Sequence, residues 1–332
     1  DMNDFKNKII YYETSRGCPF SCSYCLSSVD KKVRLRDMSL VEKELQFFID
    51  HEVPQVKFVD RTFNCNKKHA MAIWRYIKAH DNGITNFHFE IGADLLDDEE
   101  LAILSDMRPG LVQLEIGVQS TNDAEVSRTM RLDRLAKAVH TVNVGHNIHQ
   151  HLDLIAGLPY EDYDSFRKSF NDVYTLKPEQ LQLGFLKVLK GSHMQEMCGE
   201  YGIVHKEQEP YEVLFTRWVD YGDVLKLKTV ENMVEVYYNS GQFKKTLEYA
   251  ERFFEDAFSI YERLGQFYVE KGYGDVSHSR MRRYEIFLEF LETIPGISKE
   301  EAADLDLPAT RKPMRNLCGI SERKKMWRKM PM

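Results

Sequence analysis

The sequence predicts an α/β fold, a partial (β/α)6 TIM-like barrel followed by an α-helical C-terminal domain, and three observations carry the prediction. Short runs rich in β-branched and aromatic residues alternate with amphipathic stretches through the first 190 residues. The unit occurs six times at a spacing of about 30–40 residues, which implies parallel strands joined by right-handed crossovers. Beyond it the alternation stops and a helical pattern takes over. A doubly wound sheet is the competing architecture. No G-x-G-x-x-G follows the first strand, which argues against a dinucleotide-binding fold.

Taken in order, strands are expected at 9–14 (I-I-Y-Y-E-T), 56–59, 87–91, 111–118, 152–156 and 181–186. Helices are expected at 39–51, 67–82, 97–107, 133–146 and 161–176. Two of these open on cap chemistry: Ser39 has Glu42 three residues later, and Asp97 is followed by acids in the first turn. From 229 to 294, Leu247, Ala250, Phe254, Phe258 and Tyr261 recur at helical spacing and read as a core stripe. Gly272-Tyr273-Gly274 separates two such helices. Residues 1–205 are therefore read as the barrel core and 206–332 as a helical domain with a basic tail.

At 332 residues, 43% hydrophobic and 29% charged, the chain has the composition of a soluble globular protein. It contains no apolar run of about 18 residues, the length that would span a membrane. The absence of a signal peptide and the clustering of cysteines fit a reducing, cytoplasmic setting better than a disulfide framework. A first residue other than Met suggests a piece of something longer. Net charge is −7, yet residues 308–332 carry eight Lys or Arg against Glu322 alone, leaving −14 for the remainder. Such a tail can attract RNA or an acidic surface; a solvated terminal helix is the plainer reading.

Cys18, Cys22 and Cys25 sit at the spacing C-x3-C-x2-C, and the next cysteine is Cys65. Thiolates this close can hold three corners of a cubic iron–sulfur cluster and leave one iron open, the arrangement of a catalytic rather than a structural centre. Zinc is an alternative, with His51 or Cys65 as a fourth ligand, although neither lies in a paired motif. Three inert thiols are another. His146, His149 and His151 could suggest a metal site, but they lead into the fifth strand, at the end of a barrel that serves stability. Cys65, Cys198 and Cys318 are scattered, too weak a pattern for a second cluster, and Cys65 lies just beyond the second strand.

The stretch T-S-R-G-C-P-F-S-C-S-Y-C, with Tyr24 just before Cys25, resembles the signature of the radical S-adenosylmethionine (SAM) superfamily, in the branch often preceded by a cobalamin-binding domain. The resemblance covers roughly residues 8–190; the C-terminal part resembles an uncharacterised domain found behind such cores. It implies a [4Fe-4S] cluster on Cys18, Cys22 and Cys25, whose open iron is chelated by the amino and carboxylate groups of SAM. It implies an electron donor such as flavodoxin or ferredoxin as well.

Further residues follow from the same resemblance. Asp60 and Thr62, in the stretch 60–64 after the second strand, correspond to the motif that receives the SAM amino group, with Arg61 where a second acid is common. Glu90 corresponds to a position that bonds the ribose hydroxyls. The run L-E-I-G-V-Q-S at 114–120, with Glu115 and Gln119, is similar to the fourth-strand signature. Arg131 corresponds to a guanidinium on the SAM carboxylate, with Arg128 as its rival. Asp153 opens D-L-I-A-G-L-P, where Ile155 and Gly157 would let the backbone approach adenine.

Three functions follow. The first is reductive cleavage of SAM to a 5′-deoxyadenosyl radical, extended to cobalamin-dependent methyl transfer on an unknown substrate. No D-x-H-x-x-G, the loop that would ligate cobalt, occurs in the sequence. The second is the same chemistry on tRNA or another RNA, held by the basic tail. The third is a non-enzymatic zinc-binding interaction module.

Overall fold

The computed structural model describes residues 8–122, 131–274, 276–298, 301–302 and 305–306. Arg128, Cys318 and the basic tail lie outside the described residues. The chain divides into two compact units, Asp1–Leu227 and Lys228–Met332.

The first unit is built on six strands: β1 Ile9–Tyr12, β2 Gln55–Phe58, β3 Asn86–Ile91, β4 Val112–Gln119, β5 His149–Ala156 and β6 Gln180–Phe185. They lie side by side in chain order and every pair is parallel. A doubly wound sheet reverses its strand order at a switch point. This sheet never does, so the open-barrel winding is the one adopted. The helices between strands are α1 Met38–Asp50, α2 Lys67–Ala79, α3 Asp98–Ser105, α4 Leu132–Gly145 and α5 Tyr163–Tyr174.

Period-two alternation separates the sheet's faces. Val56, Phe58, Phe87, Phe89, Leu114, Ile116, Leu152 and Leu154 are all buried. Trp74 of α2 packs edge-on against Phe89 with ring centres 6.2 Å apart, and Phe58 and Phe89 meet at 4.4 Å. Each such side chain contributes about 1.5–3 kcal/mol by leaving water. The intervening positions are polar: Lys57, His88, Glu90, Glu115, His151 and Asp153. A barrel lumen is ordinarily filled with branched apolar residues, so this one is lined for ligands rather than for packing alone.

Local chemistry fixes the helix starts. Asp97 and Glu100 form a reciprocal capping box on α3. Asp162 and Ser165 do the same for α5. The cap of α1 is Asp37, which accepts from the Ser39 amide, so the helix starts earlier than the Ser39–Glu42 pair suggested. Strand β5 begins at His149, three residues ahead of the expected start, because cross-strand pairs Gln113–His149 and Glu115–His151 extend the ladder downward. His149 and His151 thus lie within the strand.

The first unit continues past residue 205 for a structural reason. Lys187 bridges to Glu212, and the Val213 amide donates to the Leu186 carbonyl at 2.8 Å. These bonds fold the hairpin of Val204–His205 and Val213–Phe215 back onto the end of β6. Leu158, Leu186, Met194, Tyr201 and Val213 form a small second core there, with Tyr24 packed against it.

The second unit is helical: a π-helical turn Val234–Asn239, then α6 Lys244–Ala250, α7 Ala257–Lys271 and α8 Arg280–Leu291. Leu247, Ala250, Phe258 and Tyr261 are buried, as a core stripe requires, while Phe254 is half-buried. Gly272, at φ +65°, caps α7. No helix among the described residues is long and apolar enough to cross a membrane.

Candidate functional site

The chain leaves β1 and enters a loop whose neck is a short antiparallel pair, Ser15–Arg16 with Arg34–Leu35. Gly17 opens the loop at φ +94°, where a Cβ would lie 2.3 Å from the Lys32 carbonyl oxygen, so only glycine fits. The Cys18 amide donates to the Asp30 carbonyl at 3.0 Å, and the Cys25 amide to the Cys22 carbonyl at 3.1 Å. The Met194 amide donates to the Ser23 carbonyl at 2.9 Å, anchoring the loop's middle to the small second core. Local bonds hold the loop from three sides.

The loop roofs a cavity of about 210 Å³ at the carboxyl ends of the strands, where barrel chemistry gathers. All three thiols face it, together with Tyr24, Thr62, Glu90, Glu115, Gln119 and Asp153. Arg61 and Gly117 line it as well. Cys18 is buried, its Sγ 3.8 Å from the Thr62 hydroxyl; Cys22 and Cys25 are half-buried.

Neither Asp60, expected to act through its backbone carbonyl, nor Arg131 is among the residues lining the cavity. The Asp60 carboxylate is fully buried and accepts from the Thr14 amide at 3.1 Å and the Thr14 hydroxyl at 2.8 Å. His69 Nε2 stands 3.1 Å from the same hydroxyl. Asn64 exchanges two 2.9 Å bonds with the backbone of Gly92. The polar ends of the stretch 60–64 thus tie β2 to its neighbours, leaving Arg61 and Thr62 to the cavity. Arg131, before the first turn of α4, is exposed and pairs with Asp133 at 2.8 Å, away from the cavity lining.

The end of β4 carries local strain. Register shifts between Gly117 and Gln119, and Gln119 sits at φ +70°, which a side-chain-bearing residue rarely adopts. A Cβ on Gly117 would lie 2.3 Å from Gln119 Nε2, so the glycine leaves room for that amide. Gln119 Oε1 is buried with no hydrogen-bond partner among the described residues, although the side chain lines the cavity. Strain and an unsatisfied acceptor in one wall are signs of a ligand site.

Below the loop, charge is organised across strands. Glu115 Oε2 lies 2.8 Å from Lys57 Nζ and 2.9 Å from His88 Nε2, the latter off the axis of an aligned hydrogen bond. His88 first, and Lys57 with it, overcome burial and hold the Glu115 carboxyl down at about 2. Its cross-strand neighbour Glu90 has no such cation in contact. Burial, and then the charge on Glu115, push Glu90 up to about 7. Level with Glu115 on the next strand, His151 Nε2 stands 3.1 Å from Asp153 Oδ1. Burial opposes the imidazolium, but Asp153 more than offsets it and His151 is raised; Asp153 is itself raised by burial.

Lys57 and His88 did not stand out in the sequence as site residues, and His151, assigned to the stability end of the barrel, instead lies beside the cavity residue Asp153. The signal was present as polar residues at every second position of otherwise apolar strands, Q-V-K-F and N-F-H-F-E-I. Glu161 was missed too. It is 1% exposed and accepts from the Ser120 and Ser169 hydroxyls at 2.6 and 2.8 Å, bracing the end of β4 against α5. Cys65 is not among the cavity residues, and burial raises its thiol.

Three cysteines lining one cavity are donors of the kind an iron–sulfur cluster takes. Among the described residues, no three His, Cys, Asp or Glu side chains converge as a mononuclear site requires. Cys18, Cys22 and Cys25 come together only as parts of the one cavity wall.

Comparison with known families agrees with that geometry. Residues 12–173 match the model of the Radical SAM superfamily. The chain carries a radical SAM domain. Residues 199–309 match a second model, described as a protein of unknown function (DUF4080), so the hairpin at 204–215 belongs to that match while packing within the first unit. The chain is 26% identical over 207 residues to the cobalamin-dependent radical SAM methyltransferase TokK of Streptomyces tokunonensis, covering 58% of this chain and 30% of that protein. It is 27% identical over 188 residues to the 2-(S-pantetheinyl)-carbapenam-3-carboxylate methyltransferase of Streptantibioticus cattleyicolor, covering 47% and 24%.

The chain therefore spans less than a third of the length of these curated relatives. Among solved structures, the radical SAM methyltransferase TsrM from Kitasatospora setae, with cobalamin and a [4Fe-4S] cluster bound, superposes with a TM-score of 0.52 at 15% identity. That match covers 61% of this chain and 43% of the other, and shows a shared fold.

Proposed function

We propose that this chain binds a [4Fe-4S] cluster on Cys18, Cys22 and Cys25 and cleaves SAM reductively in the cavity beneath them. The observation that carries the reading is the convergence of the three thiols with Glu90, Gln119 and Asp153 on one cavity. When bound, the cluster supplies the electron that splits the SAM sulfonium into methionine and a 5′-deoxyadenosyl radical.

The protein's part is orientation and exclusion of water. Backbone carbonyls of the stretch 60–62 receive the SAM ammonium. Arg61, a cavity residue, meets the carboxylate in place of the exposed Arg131. Glu90 accepts from the ribose hydroxyls, and Asp153 and Gln119 face the adenosine. Lys57 and His88 keep Glu115 ionised and in place, so that it acts as a fixed charge beside Glu90. Anaerobic reconstitution with iron and sulfide tests the ligand set. About four irons per chain are expected, lost in Cys18→Ser, Cys22→Ser and Cys25→Ser. Wild-type protein that takes up zinc and no iron would point to the interaction module instead.

Methyl transfer is the finer reading, favoured by the names of both curated relatives. Cobalamin would then be a second cofactor. Transfer of label from SAM methyl to a trapped product, dependent on added cobalamin, is the corresponding assay.

A further inference from the structure

We propose that the opening of the DUF4080 match, residues 199–219, is a positioning element of the SAM site, fixing the cysteine loop and the turn after β5 where they meet cluster and cofactor. This rests on the reading above of the cavity as a SAM site. The stretch lies wholly within the first compact unit.

The cysteine loop has no core of its own. From Pro19 to Lys32 only Ser23 is buried, and a segment with so little packing opens easily unless something outside holds it. The small second core does so. Tyr24 packs against it, and the fully buried Met194 donates its amide to the Ser23 carbonyl at 2.9 Å. Met194 lies in the first of two short helical turns, His193–Glu196 and Cys198–Tyr201. Backbone bonds join these turns to the hairpin and its exit. The Ile203 amide donates to the Cys198 carbonyl at 2.9 Å, and the Arg217 amide to the Tyr201 carbonyl at 3.0 Å. Tyr201 and Ile203, both within the DUF4080 match, are buried in the same core as Met194.

The same stretch grips the turn after β5. Gly157, at φ +85°, passes so close to Val213 that a Cβ would lie 2.9 Å from Val213 Cγ1. The Val213 amide donates to the Leu186 carbonyl, and the Leu186 amide to the Ala156 carbonyl at 2.9 Å, so backbone bonds run from the hairpin to the residue before Gly157. Tyr160, at φ +64°, has the Trp218 ring 4.7 Å and the Tyr201 ring 5.7 Å from its own. A tyrosine in that conformation persists only where its surroundings over-determine it. Trp218 and Tyr201 supply those surroundings. The Tyr160 carbonyl in turn accepts from Asn122 Nδ2 at 2.7 Å, three residues beyond the strained Gln119. Val213, Tyr201 and Trp218 thus act on the thiol loop, on the turn at Gly157 and, through Asn122, on the end of β4. These are three walls of one cavity.

The test uses the full chain, with Tyr201→Ala and Val213→Ala as disruptive variants and Tyr201→Phe and Val213→Ile as conservative partners. Trp218→Ala, at a half-buried position, replaces any buried variant that does not fold and should shift both readouts the same way. Leu45→Ala, fully buried in α1 and off the cavity lining, controls for destabilisation alone. In unreconstituted protein, iodoacetamide should alkylate the buried Cys18 at least ~fivefold faster in Tyr201→Ala than in wild type or Leu45→Ala, as read by mass spectrometry. After reconstitution, with dithionite as reductant, the KM for SAM should rise about tenfold in Val213→Ala while kcat stays within about twofold. Tyr201→Phe and Val213→Ile should return both readouts close to wild type. Disruptive variants that match Leu45→Ala in alkylation and in KM would overturn the proposal. Wild-type protein that takes up no iron, or holds it without cleaving SAM, would refute the reading of the cavity instead. The alkylation rates would then still decide whether this stretch holds the loop.

Discussion

A buried carboxyl group with no cation against it favours its neutral form. Glu161 shows this most simply: it is 1% exposed, its Oε2 has no hydrogen-bond partner among the described residues, and burial raises it to about 7. Its folded value lies above the unfolded 4.5, so the native state binds the proton more tightly. The stability this gives is complete below about 4.5 and is lost as pH climbs through about 7. Glu161→Gln keeps an acceptor for Ser120 and Ser169 without the charge. The wild type's melting temperature should fall between about pH 5 and about pH 8, and the variant's should fall distinctly less. Parallel curves in differential scanning calorimetry would show that Glu161 carries no such burden.

Residues whose role lies within one strand or loop were legible in the sequence. Glu90, Glu115, Gln119 and Asp153 occupy inward-facing positions near strand ends and meet at the cavity. Lys57 and His88 were not, and His151 was noticed but given to the stability end, because their significance arises only when register sets one strand against the next. Asp60 and Arg131 were chosen by their place in a motif. Whether a carboxylate faces a cavity or a neighbouring threonine is decided by the turn that carries it.

At the scale of elements, two glycines make the loop and the bulge possible. Gly17→Ala puts a Cβ against a backbone carbonyl at a positive φ, and neither can yield cheaply. A loss of at least ~2 kcal/mol is expected in urea unfolding, with iron uptake reduced. An unchanged midpoint with full iron content would contradict the account of the loop. Gly117→Ala meets the flexible end of Gln119 instead. The fold should survive with a change below ~1 kcal/mol, while SAM binding by isothermal titration weakens about tenfold as Gln119 is displaced. Equal affinity would separate Gln119 from the cofactor. Strands and helices of the barrel were readable from periodicity and caps. The hairpin at 204–215 was not, since strands of two and three residues have no period to read.

For the whole molecule, sequential strand order and a polar lumen are the facts that matter. They follow from six repeats of one unit, in which each strand gives its apolar positions to the helices and its polar ones to the interior. That much the alternation of residues foretold. Where the first compact unit ends it did not, because the hairpin that extends the unit to Leu227 is joined to β6 by contacts distant in sequence. The central claim is that three thiols on one loop make this interior a place where SAM is split. Its most direct test is 5′-deoxyadenosine, measured by mass spectrometry after anaerobic reconstitution and addition of dithionite and SAM. The account predicts nucleoside from the wild type and none above background from Cys22→Ala. Equal yields from the two proteins, or none from either while the wild type holds its iron, would contradict it.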